Sequence, residues 1–278
     1  MVGDGQESPE TVGVIGLGAM GLPIAGHLAR AGFTVTVHDL DAGRCRVAES
    51  AGCVVAAGAA EVAASASVVL VIVPTDADVR AVCLDEIGAG KRGTVVVCSS
   101  VHPATMREIE TRLAPGTVLD AALTGGVRAA ELGTVNLLVG GGEDVLGEVR
   151  PVLEPWCATI HHLGPLGAGQ IAKSVNNLVH WAQICAIEEA LDLARRHGLS
   201  VPAVRAALTD GPVDSRTLRE LERMRLTWWA KDLDTVDELA REAGRDVPVA
   251  RLCRTRMPGI TVAALAELLR AEADVTVM

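Results

Sequence analysis

The sequence contains no tyrosine, one phenylalanine and four tryptophans among 278 residues. It also lacks any basic run and carries a formal net charge of −10, which argues against nucleic acid or an anionic membrane as a partner. Apolar runs such as Val68–Val73 are strand-sized, far short of the roughly 20 residues needed to cross a bilayer as a helix. The seven cysteines are odd in number and never form C-x-x-C. They read as buried thiols in a reducing cytoplasm rather than as a disulfide framework or a zinc site. His161 and His162 have no second ligand cluster at a usable spacing, so no metal is expected. The opening MVGDGQESPE has neither a basic region nor an apolar core. It is read as a disordered leader over residues 1–10 and not as a secretory signal.

What is present is an ordinary globular composition, 49% hydrophobic and 22% charged, long enough for one large or two modest domains. The stretch from Val12 to Asp39 is the most informative. Val12, Val14 and Ile15 suit a buried parallel strand, and they lead into Gly16-Leu17-Gly18-Ala19-Met20-Gly21, a G-x-G-x-x-G match. Gly16 permits the tight turn, Gly18 lets backbone approach a pyrophosphate, and Gly21 lets the next helix pack closely. The helix N-terminus then favours an anion through its unpaired N–H groups and dipole, with no basic side chain required. Gly32 ends that helix, and Phe33–Val37 give a second strand.

Asp39 closes the second strand 18 residues after Gly21, close to the roughly 20-residue spacing at which an acid meets an adenosine ribose. A carboxylate there accepts hydrogen bonds from a free diol and repels a 2′-phosphate. NAD is therefore preferred, with NADP left open because Arg44 and Arg46 follow. With no tyrosine, a Tyr-Lys catalytic pair is excluded.

Further strands are expected near 53–55, 68–73, 94–98, 117–121, 136–139 and 158–163, with helices near 42–50, 58–64, 104–113 and 143–154. Val73 and Pro74 fall at the carboxyl end of a strand, the edge where open α/β sheets bind ligands, and are read as cofactor wall. Asp120-Ala121-Ala122-Leu123-Thr124-Gly125-Gly126 reads as a second glycine-containing loop at that edge. Its N–H groups suit either a substrate carboxylate or a plain strand exit. GPLGAG (164–169) is the hinge candidate, followed by one long helix from Gly169 to Gly198 and by helices near 201–209, 214–226, 231–243, 247–257 and 260–272. The fold class is α/β: an N-terminal Rossmann doubly wound sheet over 11–164, joined by the long helix to an all-α domain over 165–278.

Lys173 and Asn177 lie four apart on one face near the start of the long helix. A lysine ordinarily titrates near ~10.4. Desolvation and a positive neighbour both lower that value, which fits it for moving a proton. A solvated lysine near a helix start is the alternative.

Taken in order, the motifs resemble those of the β-hydroxyacid dehydrogenase family over about residues 12–250. GLGAMGLPIAGHLARAG (16–32) resembles its cofactor signature, SSVHP (99–103) its S-[ST]-x-x-P turn, DAALTGG (120–126) its substrate loop, GAGQIAKSVNN (167–177) its catalytic motif and KDL (231–233) its late lysine motif. The resemblance implies an NAD(P)-dependent oxidoreductase interconverting a small 3-hydroxy carboxylic acid and its semialdehyde or ketone. It makes Lys173 the general acid/base and Asn177 its partner. It places Thr124, Gly125 and Gly126 at the substrate carboxylate, Ser100 at nicotinamide or substrate, and Lys231 near the substrate. It further implies a small anionic substrate and a homodimer or homotetramer built by the all-α domain. Val97, Ala122, Thr124 and Ala129 depart from the family's pattern and border the substrate. Arg128 is read either as a contact for a second anionic group or as a solvated residue. The rival readings are an imine reductase-like enzyme, against which Lys173 argues, and a non-catalytic NAD-binding oligomer.

Overall fold

The computed structural model describes residues 10–88, 93–114 and 116–273. Apart from Glu10, the expected leader lies outside the described residues. The chain divides into two compact units, Met1–Lys173 and Ser174–Met278.

The first unit is one sheet of eight strands: β1 (Thr11–Ile15), β2 (Thr34–His38), β3 (Val54–Val55), β4 (Val68–Val71), β5 (Thr94–Val97), β6 (Val118–Thr124), β7 (Val135–Gly140) and β8 (Cys157–His162). Their order is β3-β2-β1-β4-β5-β6-β7-β8, so the order reverses between β1 and β4. That reversal opens a crevice at the carboxyl ends of these two strands. β1 to β6 pair in parallel, whereas β7 runs antiparallel to β6. The link from Gly125 to Thr134 is shorter than the dozen or more residues that a parallel crossover needs.

The helices of this unit are α1 (Gly21–Arg30), α2 (Ala42–Ser50), α3 (Ala59–Ser65), α4 (Asp76–Arg80, continued by a π-helical stretch Ala81–Ile87), α5 (Pro103–Leu113), α6 (Gly126–Leu132) and α7 (Glu143–Leu153). Strand residues alternate between two cores. Val14, Val37, Leu70 and Val96 pack with Ile24 and Leu28 of α1 and with Leu146 and Val149 of α7. Ile15, Val69, Val71 and Val97 pack with Val62 of α3, Val79 of α4 and Met106 and Ile109 of α5. Each such fully buried aliphatic side chain contributes roughly 1.5–3 kcal/mol. The sheet is therefore covered on both faces, as a doubly wound fold requires.

The long helix α8 (Ala168–Arg196) begins in the first unit and continues into the second, where α9 (Val201–Thr209), α10 (Arg216–Arg219), α11 (Trp229–Glu242), α12 (Pro248–Arg256) and α13 (Val262–Leu268) complete an all-α unit. Its core gathers Trp181, Ile184, Leu191, Leu233, Cys253 and Met257. The helix expected over 214–226 is broken. Ser215 caps α10 by accepting the N–H of Leu218 at 3.1 Å. Arg205 donates to the carbonyls of Leu218 and Arg219 at 2.9 and 2.8 Å, so these groups need no continuing helix.

Candidate functional site

The glycine turn follows directly from β1. Gly16 adopts φ +93°, and a side chain there would collide with the carbonyl of Ile72 beyond β4. Gly21 opens α1, and a Cβ on it would run into the carbonyl of Gly16, so this glycine serves the turn itself more than the sheet. A Cβ on Gly18 would meet nothing within 4 Å, so packing does not require that glycine and the turn leaves open space there. The N-cap of α1, Met20, supplies no side-chain acceptor, and the first turn holds no acid. Its N–H groups are thus not taken by an N-cap side chain.

Asp39 stands one residue beyond β2. Its Oδ2 accepts the N–H of Leu17 at 2.6 Å and its Oδ1 that of Asp41 at 2.8 Å, and Arg44 pairs with it at 3.5 Å. A carboxylate accepts about four hydrogen bonds, so capacity remains for a diol. Glycine turn, acid and strand exit thus form a cradle that fits a dinucleotide.

The next exits of the sheet are joined to it. Val73 donates its N–H to Ser99 Oγ at 2.8 Å, and that hydroxyl donates to the carbonyl of Val71 at 3.3 Å. Asp76 accepts the N–H of His102 at 2.9 Å and the hydroxyl of Thr105, which ties the segment after Pro74 to the segment holding Ser100. His102 caps α5 by accepting the N–H of Ala104 at 3.2 Å, and so serves as a turn residue.

Asp120, near the middle of β6, is fully buried. Its two oxygens accept the N–H of Gly167 at 2.6 Å and of Gln170 at 2.8 Å, both at the start of α8. Burial pushes the Asp120 carboxyl above its usual range, against the opposing pull of these backbone N–H groups. Gln170 is 1% exposed. Its Nε2 donates to the carbonyl of Ser99 at 2.8 Å and its Oε1 accepts the N–H of Val101 at 3.0 Å. Gly169 is required because a Cβ would collide with the carbonyl of Leu138 and lie 2.7 Å from Asp120 Oδ2. The glycine run 164–169 is therefore tied down within the first unit, where the sequence suggested a hinge.

The sequence reading singled out neither Asp120 nor Gln170. The available signal was an acid inside the apolar strand sequence VLDAAL, since a buried carboxylate demands partners.

The expected glycine loop over 120–126 is mostly strand. β6 runs through Thr124, which pairs with Asn136 of β7 and donates its hydroxyl to the carbonyl of Asn136 at 3.3 Å. Only Gly125, at φ +107°, forms the turn, and Gly126 already begins α6, a helix the sequence reading lacked. Arg128 on that helix is exposed.

Thus Gly16, Asp39, Val73, Ser100 and Thr124 all stand at carboxyl ends of mutually parallel strands, and Lys173, half-buried, lies one helical turn past Gln170 in the same unit. Asn177 and Lys231 belong to the second unit. Asn177 is buried on α8 and accepts from Asn176 Nδ2 at 3.4 Å. The Lys231 ammonium sits 5.9 Å from the centre of the Trp228 ring, while Trp229 packs against the helical core.

Residues 11–164 match the family described as the NAD binding domain of 6-phosphogluconate dehydrogenase. Residues 167–276 match that described as NAD-binding of NADP-dependent 3-hydroxyisobutyrate dehydrogenase. The chain is 37% identical over 202 residues to a probable 3-hydroxyisobutyrate dehydrogenase of Mycobacterium tuberculosis, spanning 72% of this chain and 69% of the relative. The solved 3-hydroxyisobutyrate dehydrogenase of M. tuberculosis with L-serine superposes with a TM-score of 0.79 at 29% identity, covering 96% of each chain. An imine reductase from Pseudomonas sp. reaches a TM-score of 0.66 at 20% identity over 94% of this chain and 99% of its own, a likeness of fold alone.

Proposed function

This chain belongs to the β-hydroxyacid dehydrogenase family and is an NAD(P)-dependent hydroxyacid dehydrogenase, and from that premise we propose how its own residues carry the reaction. The substrate is a small 3-hydroxy carboxylate, interconverted with its semialdehyde or ketone. When bound, nicotinamide supplies the hydride acceptor or donor. Lys173, as the neutral amine, takes the hydroxyl proton during oxidation and returns it during reduction. Asn177, one turn along α8, keeps that amine in register.

Gly16 to Gly21, with Leu17, Ala19 and Met20 between them, hold the pyrophosphate through backbone N–H groups and the α1 dipole. Asp39 selects NAD over NADP by accepting from the ribose diol. Val73 and Pro74 form the wall beside the nicotinamide half. Ser100, Thr124, Gly125 and Gly126 receive the anionic substrate. The working domains are 11–164 for the cofactor and 165–278 for substrate and assembly, a division supported by the two family matches.

Val175, Val179 and Leu193 are exposed on α8 within the second unit. Covering this apolar face with a second copy would make the enzyme a homodimer or homotetramer. No helix among the described residues is long and apolar enough to cross a membrane, and the thiols, six of seven buried, suit the cytoplasm.

The observation that carries this reading is that the helix bearing Lys173 starts inside the nucleotide-binding unit, bonded to the strand exit that holds Ser100. The test follows nicotinamide absorbance with NAD or NADP and a panel of short hydroxy acids. The panel includes 3-hydroxyisobutyrate, L-serine and phosphorylated and sulfonated analogues, and both wild type and Lys173→Ala are assayed. Turnover with NAD that collapses in the variant is expected. Wild-type turnover in Lys173→Ala, or cofactor binding with no turnover across the panel, would overturn the reading.

A further inference from the structure

The side chain of Gln170 reaches both peptide groups that flank Ser100. Its carbonyl oxygen accepts from Val101 N–H at 3.0 Å, and its amide nitrogen donates to the Ser99 carbonyl at 2.8 Å. A side-chain amide is the group that offers an acceptor and a donor side by side at this reach. Glutamate would present two acceptors when ionised, and methionine would present neither strong acceptor nor donor. The amide is shut away from solvent, where hydrogen bonds are electrostatically stronger and an unmatched one is costly.

Gln170 also stands one turn before Lys173, about 4.5 Å along the helix axis at 1.5 Å per residue. Its own N–H is held by the buried Asp120 carboxylate, which holds Gly167 as well. The chain of bonds runs unbroken from Val73 through the Ser99 hydroxyl and the Ser99 carbonyl to Gln170 and Asp120. Every link lies within the first unit.

We propose that Gln170 is a positioning residue that fixes Ser100 and Lys173 relative to one another, with Asp120 anchoring the helix turn from which Gln170 reaches. The proposal rests on the reading of Lys173 as the proton-transfer group. Gln170 need not touch substrate or cofactor. A displacement of about 1 Å in a reacting group costs on the order of a hundredfold in rate, so a fork that holds both elements acts on kcat rather than on cofactor affinity.

The test uses the full chain as Gln170→Met and Gln170→Glu, each with Lys173 intact and each combined with Lys173→Ala. Single-turnover hydride transfer is followed with an acid that the panel turns over, cofactor affinity by NADH titration, and amide hydrogen exchange over 99–102 without substrate. The expected result is a ten- to hundredfold fall in the transfer rate of Gln170→Met, with NADH affinity within twofold. The fall should vanish in the Lys173→Ala background because the two residues act as a unit. Exchange over 99–102 should quicken at least tenfold while β1 and α1 stay protected.

An equal fall in both backgrounds would make Gln170 a stabilising residue only, and unchanged exchange or unchanged rate would also overturn the proposal. Should Gln170→Met not fold, Gln170→Glu carries the same comparison, since it keeps the acceptor for Val101. The two readings fail differently. An inactive Lys173→Ala beside a wild-type-like Gln170→Met sinks only the positioning role, whereas an active Lys173→Ala sinks both.

Discussion

Asp39 Oδ2 accepts the backbone N–H of Leu17 at 2.6 Å, so the acid that ends the second strand is bonded directly to the glycine turn. Asp39 thus shapes the turn, and under the proposed function it also accepts from the ribose. Asp39→Ala should raise KM for NAD roughly tenfold or more, in line with about 1.5–3 kcal/mol for a hydrogen bond to a charged group. It should raise KM for NADP less, because the repulsion of a 2′-phosphate goes with the carboxylate. Initial rates with both cofactors check this, and equal losses would leave Asp39 as a turn residue only.

Gly18 and Gly21 are separated by their effect on stability. A Cβ on Gly18 would enter open space, whereas one on Gly21 would collide with the Gly16 carbonyl. Gly18→Ala should leave thermal stability within about 0.5 kcal/mol of wild type and weaken NAD binding. Gly21→Ala should destabilise the fold by about 1–3 kcal/mol, the range for overpacking. Thermal melts with and without NAD make the comparison. A stability loss in Gly18→Ala equal to that in Gly21→Ala would refute the assignment.

Lys173→Met removes the amine and keeps a flexible apolar side chain of similar length. General acid–base catalysis contributes roughly 10²- to 10⁴-fold, so kcat should fall within that range while NADH affinity stays near wild type. Stopped-flow turnover beside a binding titration would settle it, and a fall of less than tenfold would place proton transfer elsewhere.

Asp120 links stability to pH. Its carboxyl lies above the usual range through burial, so the folded state binds this proton more tightly than the unfolded chain does. The stability so contributed is complete below the unfolded value of roughly 3.9 and is lost as pH rises through the folded value. Asp120→Asn cannot titrate, and it turns an N–H donor toward Gly167 or Gln170. It should cost about 2–4 kcal/mol through a buried unmatched donor and lost charge-assisted bonds. The gap in Tm from wild type should be widest at about pH 4 and below and narrow as pH rises. Melts across that range test the sign, and a gap that widens with pH would contradict it.

Much of the molecule was legible before folding because its signals are local in the chain. Strand period, turn glycines, an acid at the next strand's end and a lysine four residues before an asparagine fall within short windows, and each element's chemistry is carried by its neighbours in sequence. The long helix stops where its glycine does.

Tertiary structure decided the rest, because the relevant partners are remote in sequence. Asp120 meets amides 47 and 50 residues away, and Gln170 spans 71 and 69 residues to Ser99 and Val101. The apolar strand around Asp120 signals burial, but nothing near it in the chain shows that its partners are the amides at a helix start. The expected helix over 214–226 broke because Arg205, in another helix, took up its carbonyls. The sequence by itself determined which local structures form and which chemistry they bear. Only the fold decided which buried polar groups find one another, since a carboxylate or an amide leaves water only where a partner meets it.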